Sequence, residues 1–299
     1  MSESDLVFES SKEDIKVKTE IAIDVGKTLQ PHAVSCTGSS GLSIATIANC
    51  YPENLRGHFF GVHMFNPPYS MSLCELTPTT FSDKNMQAEL KEYLAKKLIR
   101  TVVEVKDSPA FLGNRIGFQF INEALHCAER FKNNGGIDYI DAILDSFTGR
   151  SMPPLITSDF VGLDVHKAIV DNIYDNTDDY AHETFILPGY VQKLIDQGKL
   201  GRKSGGGLYQ RIKYENGLTR QTVLDINTGL YRDVIPYVFP FSDKMKKYFA
   251  EGDYQKAFER LLTITPWRLK SVATSCLTIL CIVYTPPRKS GTRLKLQMM

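Results

Sequence analysis

The sequence has no Cys-x-x-Cys pair, hardly any net charge and no apolar run that could span a bilayer. Its six cysteines, Cys36, Cys50, Cys74, Cys127, Cys276 and Cys281, are scattered through mostly apolar surroundings. That argues against disulfides and zinc and for buried thiols in a reducing compartment, and no metal is expected. A formal net charge of +1 leaves no concentrated basic face for counterion release, so no nucleic-acid partner is expected. The longest apolar run, Ser271 to Tyr284, is 14 residues and contains Ser and Thr. It falls short of the roughly 20 residues that cross a bilayer, so it reads as a buried helix and no membrane partner is expected. Met1 to Asp5 lacks the charged start and apolar core of a signal peptide, so the expected location is intracellular, not secreted, with the compartment left open.

What is present is the composition of a soluble globular protein, 42% hydrophobic and 23% charged, with room for two domains in 299 residues. Leu6-Val7-Phe8 is a short strand candidate. Ser11-Lys12-Glu13-Asp14 reads as a helix start with acids in the first turn, followed by an apolar face through Ile15, Val17, Ile21, Val25 and Leu29 up to Pro31. His32 to Cys36, Phe59 to Phe65, Ser70 to Leu76 and Thr101 to Val105 read as extended segments, and Asp83 to Arg100 as an amphipathic helix. This alternation predicts an α/β domain with a largely parallel sheet over residues 1–107.

Beyond Lys106-Asp107-Ser108-Pro109 no strong strand pattern occurs before residue 205. Ile116 to Phe131, Ile137 to Phe147, Leu163 to Ile173 and Tyr190 to Gln197 are helix candidates, which predicts an all-helical domain over 108–212. Gly201-Arg202-Lys203-Ser204-Gly205-Gly206-Gly207-Leu208-Tyr209 lacks the flanking strand and helix of a phosphate-binding loop and reads as an ordinary loop. A helical extension is expected over 213–265, with a hairpin-like turn at Asp225 to Tyr231 and a helix-prone segment from Asp243 to Thr263, and then a disordered, solvated tail over 266–299, ending in the basic Pro286 to Arg293 stretch.

Two stretches could carry chemistry. Gly61-Val62-His63-Met64-Phe65-Asn66-Pro67-Pro68 delivers one histidine on an apolar strand that stops at an asparagine and a proline pair, and Glu75 follows twelve residues after the histidine. An imidazole titrates near neutral pH, and a carboxylate on its second nitrogen would fix the tautomer and raise the basicity. A lone histidine at a strand end is nevertheless more often structural than catalytic. Thr37-Gly38-Ser39-Ser40-Gly41 is a hydroxyl-rich turn that could bind a ligand, and ordinary turn chemistry explains its Gly and Ser equally well.

These two stretches, with Leu73-Cys74-Glu75-Leu76, Lys106 to Arg115 and Gly201 to Tyr209, resemble in order and spacing the 3-hydroxyacyl-CoA dehydrogenase family. The likeness runs from about Asp5 to Gln210. It implies a partial Rossmann-type parallel sheet domain followed by a helical domain, and NAD-dependent oxidation of 3-hydroxyacyl-CoA to 3-oxoacyl-CoA in fatty-acid β-oxidation. By the resemblance His63 is the catalytic base and Glu75 its carboxylate partner. Ser40 binds the substrate hydroxyl, Asn114 lies near the substrate carbonyl at the mouth of the second domain, and Asn66 stands behind them. The site is then expected in a cleft between domains, acyl-CoA is the expected partner, and a homodimer would pair through the helical domain from Ile116 onward.

The same family opens with a strand, a glycine-rich turn and a helix that hold the cofactor pyrophosphate. No Gly-x-Gly-x-x-Gly occurs in this chain, and Leu6 to Glu9 resembles the family's fourth strand, which implies an amino-terminally incomplete version with an exposed edge on the Leu6 strand. Glu13 and Lys18 fall at positions used near the nicotinamide ribose, and Gly38 stands where an asparagine is usual. NAD is therefore the expected cofactor, held weakly. The alternative is a non-catalytic acyl-CoA-binding or dimerisation module, or a fragment without function.

Overall fold

The computed structural model describes residues 3–145, 152–178, 181–214, 217–253 and 255–256. The chain divides into two compact units: Met1–Phe118 with Ala168–Ile186, and Gln119–Lys167 with Leu187–Met299. The expected tail over 266–299, Cys276, Cys281 and the apolar run from Ser271 lie outside the described residues.

The first unit is built on a five-stranded sheet in the order β1 (Leu6–Glu9), β2 (Val34–Thr37), β3 (Phe59–Met64), β4 (Leu73–Thr77), β5 (Thr101–Glu104). All neighbours are parallel except β3 and β4, which run antiparallel. Helices α1 (Ile15–Gly26) and α2 (Ile44–Ala48) connect the early strands, and α3 (Lys84–Lys96) precedes β5. Successive strand residues face opposite sides. Phe59 packs with Ala22, Val25, Ile44 and Ile47 of α1 and α2. Phe60 and Val62 pack instead with Cys74, Leu76 and the α3 residues Leu90 and Leu94. Gly61 and His63 therefore share the α2 face with Phe59. Gly61 has no room for a side chain, since a Cβ there would stand 2.8 Å from Ile44 and 3.0 Å from Thr77. Gly61→Ala is expected to destabilise the unit by about 1–3 kcal/mol in urea titrations, the usual cost of overpacking a core.

The helix expected to start at Ser11 starts at Ile15. Asp14 is its N-cap, with its side chain accepting from the Lys16 amide at 3.0 Å. Glu13 thus precedes the helix instead of lying in its first turn. The first compact unit runs past the expected 107/108 boundary to Phe118, inside α4 (Gly113–Arg130). Asn114, expected at the mouth of the second domain, falls in the first unit.

The second unit contains the larger part of α4, then α5 (Ile137–Ile143), α6 (Pro154–Val161), the start of α7 (Leu163–Asn176) and α8 (Gly189–Asp196), around a core that includes Phe120, Leu125, Ile140, Leu155 and Val191. The order of a mixed, mostly parallel sheet followed by a helical part agrees with expectation. Helix α6 is not among the expected helices; its Pro154 stands in the first turn, where proline is well tolerated. Helices make up most of 108–212, and the helical extension expected over 213–265 is corrected by a three-stranded antiparallel sheet: β6 (Tyr209–Lys213), β7 (Thr219–Leu224) and β8 (Tyr231–Asp233). These strands are short and half exposed, so their alternation is faint in the sequence. Helix α9 (Pro240–Ala250) follows, and the part of the expected Asp243 to Thr263 helix beyond residue 256 lies outside the described residues. No helix among the described residues is long and apolar enough to cross a membrane.

Two buried acids tie the second unit together. Asp141 accepts from the Leu155 amide at 2.8 Å, the Ile156 amide at 3.1 Å and the Tyr209 hydroxyl at 2.7 Å. Asp159 accepts from the Leu208 and Tyr209 amides at 2.8 and 2.7 Å. The Gly201 to Tyr209 stretch, read as an ordinary loop, is held by that carboxylate: a Cβ on Gly207 would lie 2.3 Å from Asp159 Oδ1.

Candidate active site

The antiparallel pairing of β3 and β4 sets His63 directly opposite Glu75. Cys74 and Leu76 belong to the α3-side core, so Glu75 points to the same face as His63. The twelve-residue spacing seen in the sequence is thus one tight excursion that returns to the neighbouring strand in register. His63 is 7% and Glu75 1% exposed. His63 Nδ1 lies 2.7 Å from Glu75 Oε2. The other oxygen, Oε1, accepts from the Gly113 amide at 2.7 Å and the Leu112 amide at 3.1 Å, at the start of α4. Every group facing Glu75 other than the imidazole is a donor, so Nδ1–H donates to Oε2 and Nε2 is left as the acceptor. The His63 ring packs against Phe65 and Phe111, with centroids 4.5 and 6.1 Å away.

Ala110 and Phe111, just before these amides, have φ of 59° and 50°. Left-handed backbone in a non-glycine residue is costly and clusters at functional sites. Here it aims Leu112 and Gly113 at Glu75. Gly113 itself has no alternative, since its Cβ would stand 2.5 Å from the Phe65 ring.

Asn114 is brought to Ser40, not to His63: its Nδ2 donates to the Ser40 carbonyl at 3.1 Å. The Ser40 amide donates to Glu13 Oε1 at 2.9 Å, and that oxygen also accepts from Ser39 Oγ at 2.7 Å and the Gly41 amide at 3.1 Å. Lys18, 2% exposed, reaches Glu9 at 2.9 Å and Glu13 at 3.7 Å. Burial would raise the Glu9 carboxyl, but hydrogen bonds from Ser11, Thr37 and Lys18 hold it down at about 2. Gly38 sits under Phe8 and the Glu9 carbonyl, where a Cβ would have neighbours at 3.3 and 3.4 Å. Asn66 is exposed at the end of β3, next to Pro67, and the structure gives it no hydrogen bond to the other predicted site residues. All of these residues belong to the first unit.

Sequence reasoning missed three contributors. Asp107 accepts from the Ile44 and Ala45 amides at 2.9 and 2.8 Å and so caps α2, behind the Ser40 turn. Glu9 neutralises Lys18. The Leu112 and Gly113 amides orient Glu75. Backbone donors leave no mark in a side-chain pattern, but Asp107 was visible as the acid that opens the stretch after β5.

Comparison with known proteins bears on the family and the fold. Residues 1–108 match the model of the NAD binding domain of 3-hydroxyacyl-CoA dehydrogenase, and residues 111–211 match its C-terminal domain. A 3-hydroxybutyryl-CoA dehydrogenase of Bradyrhizobium diazoefficiens is 32% identical over 209 residues, covering 70% of this chain and 69% of the relative. The chain belongs to the 3-hydroxyacyl-CoA dehydrogenase family. The human mitochondrial hydroxyacyl-coenzyme A dehydrogenase is 32% identical, covering 69% of this chain and 64% of its own length. The crystal structure of (S)-3-hydroxybutyryl-CoA dehydrogenase from Ralstonia eutropha superposes with a TM-score of 0.61 at 28% identity, covering 68% of this chain and 69% of that one. The chain spans only part of its curated family relatives, 27% of a probable dehydrogenase of Bacillus subtilis and 66% of one of Caenorhabditis elegans.

Proposed function

We propose that this chain binds 3-hydroxyacyl-CoA esters and interconverts them with 3-oxoacyl-CoA through His63, as an NAD-dependent oxidoreductase of fatty-acid β-oxidation. The observation that carries the reading is the His63 Nδ1 to Glu75 contact of 2.7 Å, which leaves Nε2 as a proton acceptor on a rigid strand. In the oxidation direction Nε2 takes the proton of the substrate 3-hydroxyl, and Glu75 stabilises the imidazolium that forms. Ser40 donates or accepts at the same hydroxyl, Asn114 holds the Ser40 carbonyl and faces the acyl carbonyl, and Asn66 borders the site.

NAD, when bound, supplies the acceptor for the hydride that leaves C3. The described residues fit one end of it: Glu13 is 38% exposed at its side chain, beside Lys18 and the Ser40 turn, where a ribose hydroxyl could bond, and Gly38 lies just before that turn. They do not fit the pyrophosphate. The turn between β1 and α1, Ser10 to Asp14, carries no glycine whose backbone could close on a phosphate. This favours, as a second reading, an acyl-CoA-binding module without redox activity.

Calorimetry with acetoacetyl-CoA and with NADH, run separately, decides between them. Binding of both supports the dehydrogenase, binding of acetoacetyl-CoA alone supports the module, and binding of neither rejects both. The family also suggests a homodimer through the helical part. Light scattering should then give twice the 33.7 kDa of one chain, and a value near 33.7 kDa would reject pairing.

A further inference from the structure

Glu13 does not behave as a free ligand for a cofactor. One of its oxygens accepts three donors from three consecutive residues: Ser39 Oγ at 2.7 Å, the Ser40 amide at 2.9 Å and the Gly41 amide at 3.1 Å. Ser39 Oγ in turn accepts from the Leu42 amide at 3.1 Å, which closes the turn on itself. The Ser40 peptide groups are thus gripped from both sides, the N–H by Glu13 and the C=O by Asn114 at 3.1 Å. The Ser40 hydroxyl is left without a hydrogen bond among the described residues. Behind Glu13, the buried Lys18 ammonium bonds to Glu9 at 3.1 and 2.9 Å and lies 3.7 Å from Glu13, so the carboxylate is fixed by charge as well as by its donors.

The same chain of contacts runs on to the histidine. Asn114 follows Gly113, whose amide binds Glu75, and Glu75 binds His63. We propose that Glu13 is a positioning residue for Ser40, clamping the Ser39-Ser40-Gly41 turn so that the Ser40 hydroxyl is presented to the substrate in register with His63. This rests on the reading of Ser40 as the residue that bonds the substrate hydroxyl. It gives Glu13 a role in the proton half of the reaction, distinct from any contact with the cofactor, and it makes Lys18 the support of that clamp.

The test combines amide hydrogen exchange with a double-mutant cycle in the full chain. Glu13→Ala removes all three acceptor contacts, so the Ser40 and Gly41 amides should exchange at least about ten times faster. kcat for acetoacetyl-CoA reduction should fall about tenfold, with no further fall when Glu13→Ala is added to Ser40→Ala, because both changes act through one hydroxyl. Glu13→Gln, which keeps an acceptor oxygen, should restore exchange and kcat to within about threefold of wild type. Unchanged exchange in Glu13→Ala, multiplicative losses in the double variant, or a rise in the KM for NADH with kcat unaltered would each overturn the proposal. If the wild-type chain shows no turnover, the dehydrogenase reading fails by itself, and the exchange at Ser40 and Gly41 alone decides the clamp.

Discussion

Glu75→Gln is expected to lower kcat by about a thousandfold while leaving the free energy of unfolding within about 1 kcal/mol of wild type. Glutamine keeps a carbonyl oxygen for the Gly113 and Leu112 amides, which sit 2.7 and 3.1 Å from Oε1, so the start of α4 stays in place. At the other position it offers an N–H₂ where Oε2 stood, 2.7 Å from His63 Nδ1. Two donors cannot face each other, so the imidazole moves its proton to Nε2 and can no longer accept one from the substrate. Glu75→Ala serves as the contrast. It removes the acceptor of two backbone amides and of the imidazole, and should cost about 2–4 kcal/mol in urea titrations on top of the same loss of kcat. A Gln variant within tenfold of wild-type kcat would show that the tautomer does not matter.

The second large effect is a pH response of opposite sign in the two units. Burial pushes Asp141 up to about 7 against the hydrogen bonds from Leu155, Tyr209 and Ile156, and pushes Asp159 up to about 6 against those from Tyr209 and Leu208. An acid whose folded pKa is raised holds its proton more tightly when folded. That contribution is complete below about pH 4, the ordinary aspartate range, and is lost as pH rises through 6 and 7. Glu9, held at about 2, works the other way: its contribution is present above the ordinary glutamate range of about 4.5 and lost as pH falls toward 2. Hydrogen exchange resolved by segment should therefore show the second unit loosening between about pH 4 and 7, by as much as a few kcal/mol, and the first unit loosening below about pH 4. Asp141→Asn should flatten the upper limb. Equal responses of both units across this range would contradict the assignment.

The two units were legible in the sequence to different degrees for a physical reason. The central strands β2, β3 and β4 of the first sheet are buried, β3 over five of its six residues, so apolar runs such as Phe59 to Phe65 mark them plainly. The pairing of His63 with Glu75 was readable because an antiparallel return after a tight excursion puts both on one face. The place of Asn114 beside the Ser40 turn was not legible, because its bond goes to a backbone carbonyl, which leaves no mark in a side-chain pattern. Glu13 and Lys18 stand out by the family resemblance, but the bonds of Lys18 to Glu9 and of Glu13 to the Ser39 hydroxyl and the Ser40 and Gly41 amides need three dimensions to be seen. Of the β6 to β8 sheet only the Asp225 to Tyr231 turn shows in the sequence, because β6 is half exposed and β7 is buried only over Thr222, Val223 and Leu224, which leaves no long apolar strand to mark it.

The central claim is that His63 Nε2 handles the substrate proton. Steady-state reduction of acetoacetyl-CoA by NADH, compared between the wild-type chain and His63→Ala, tests it most directly. Turnover by the wild type, with a kcat at least about a thousandfold lower in the variant and calorimetric affinity for acetoacetyl-CoA within a few fold, is the predicted result. A His63→Ala variant that turns over at a rate close to wild type, or a wild-type chain that binds both ligands and transfers nothing, would contradict it.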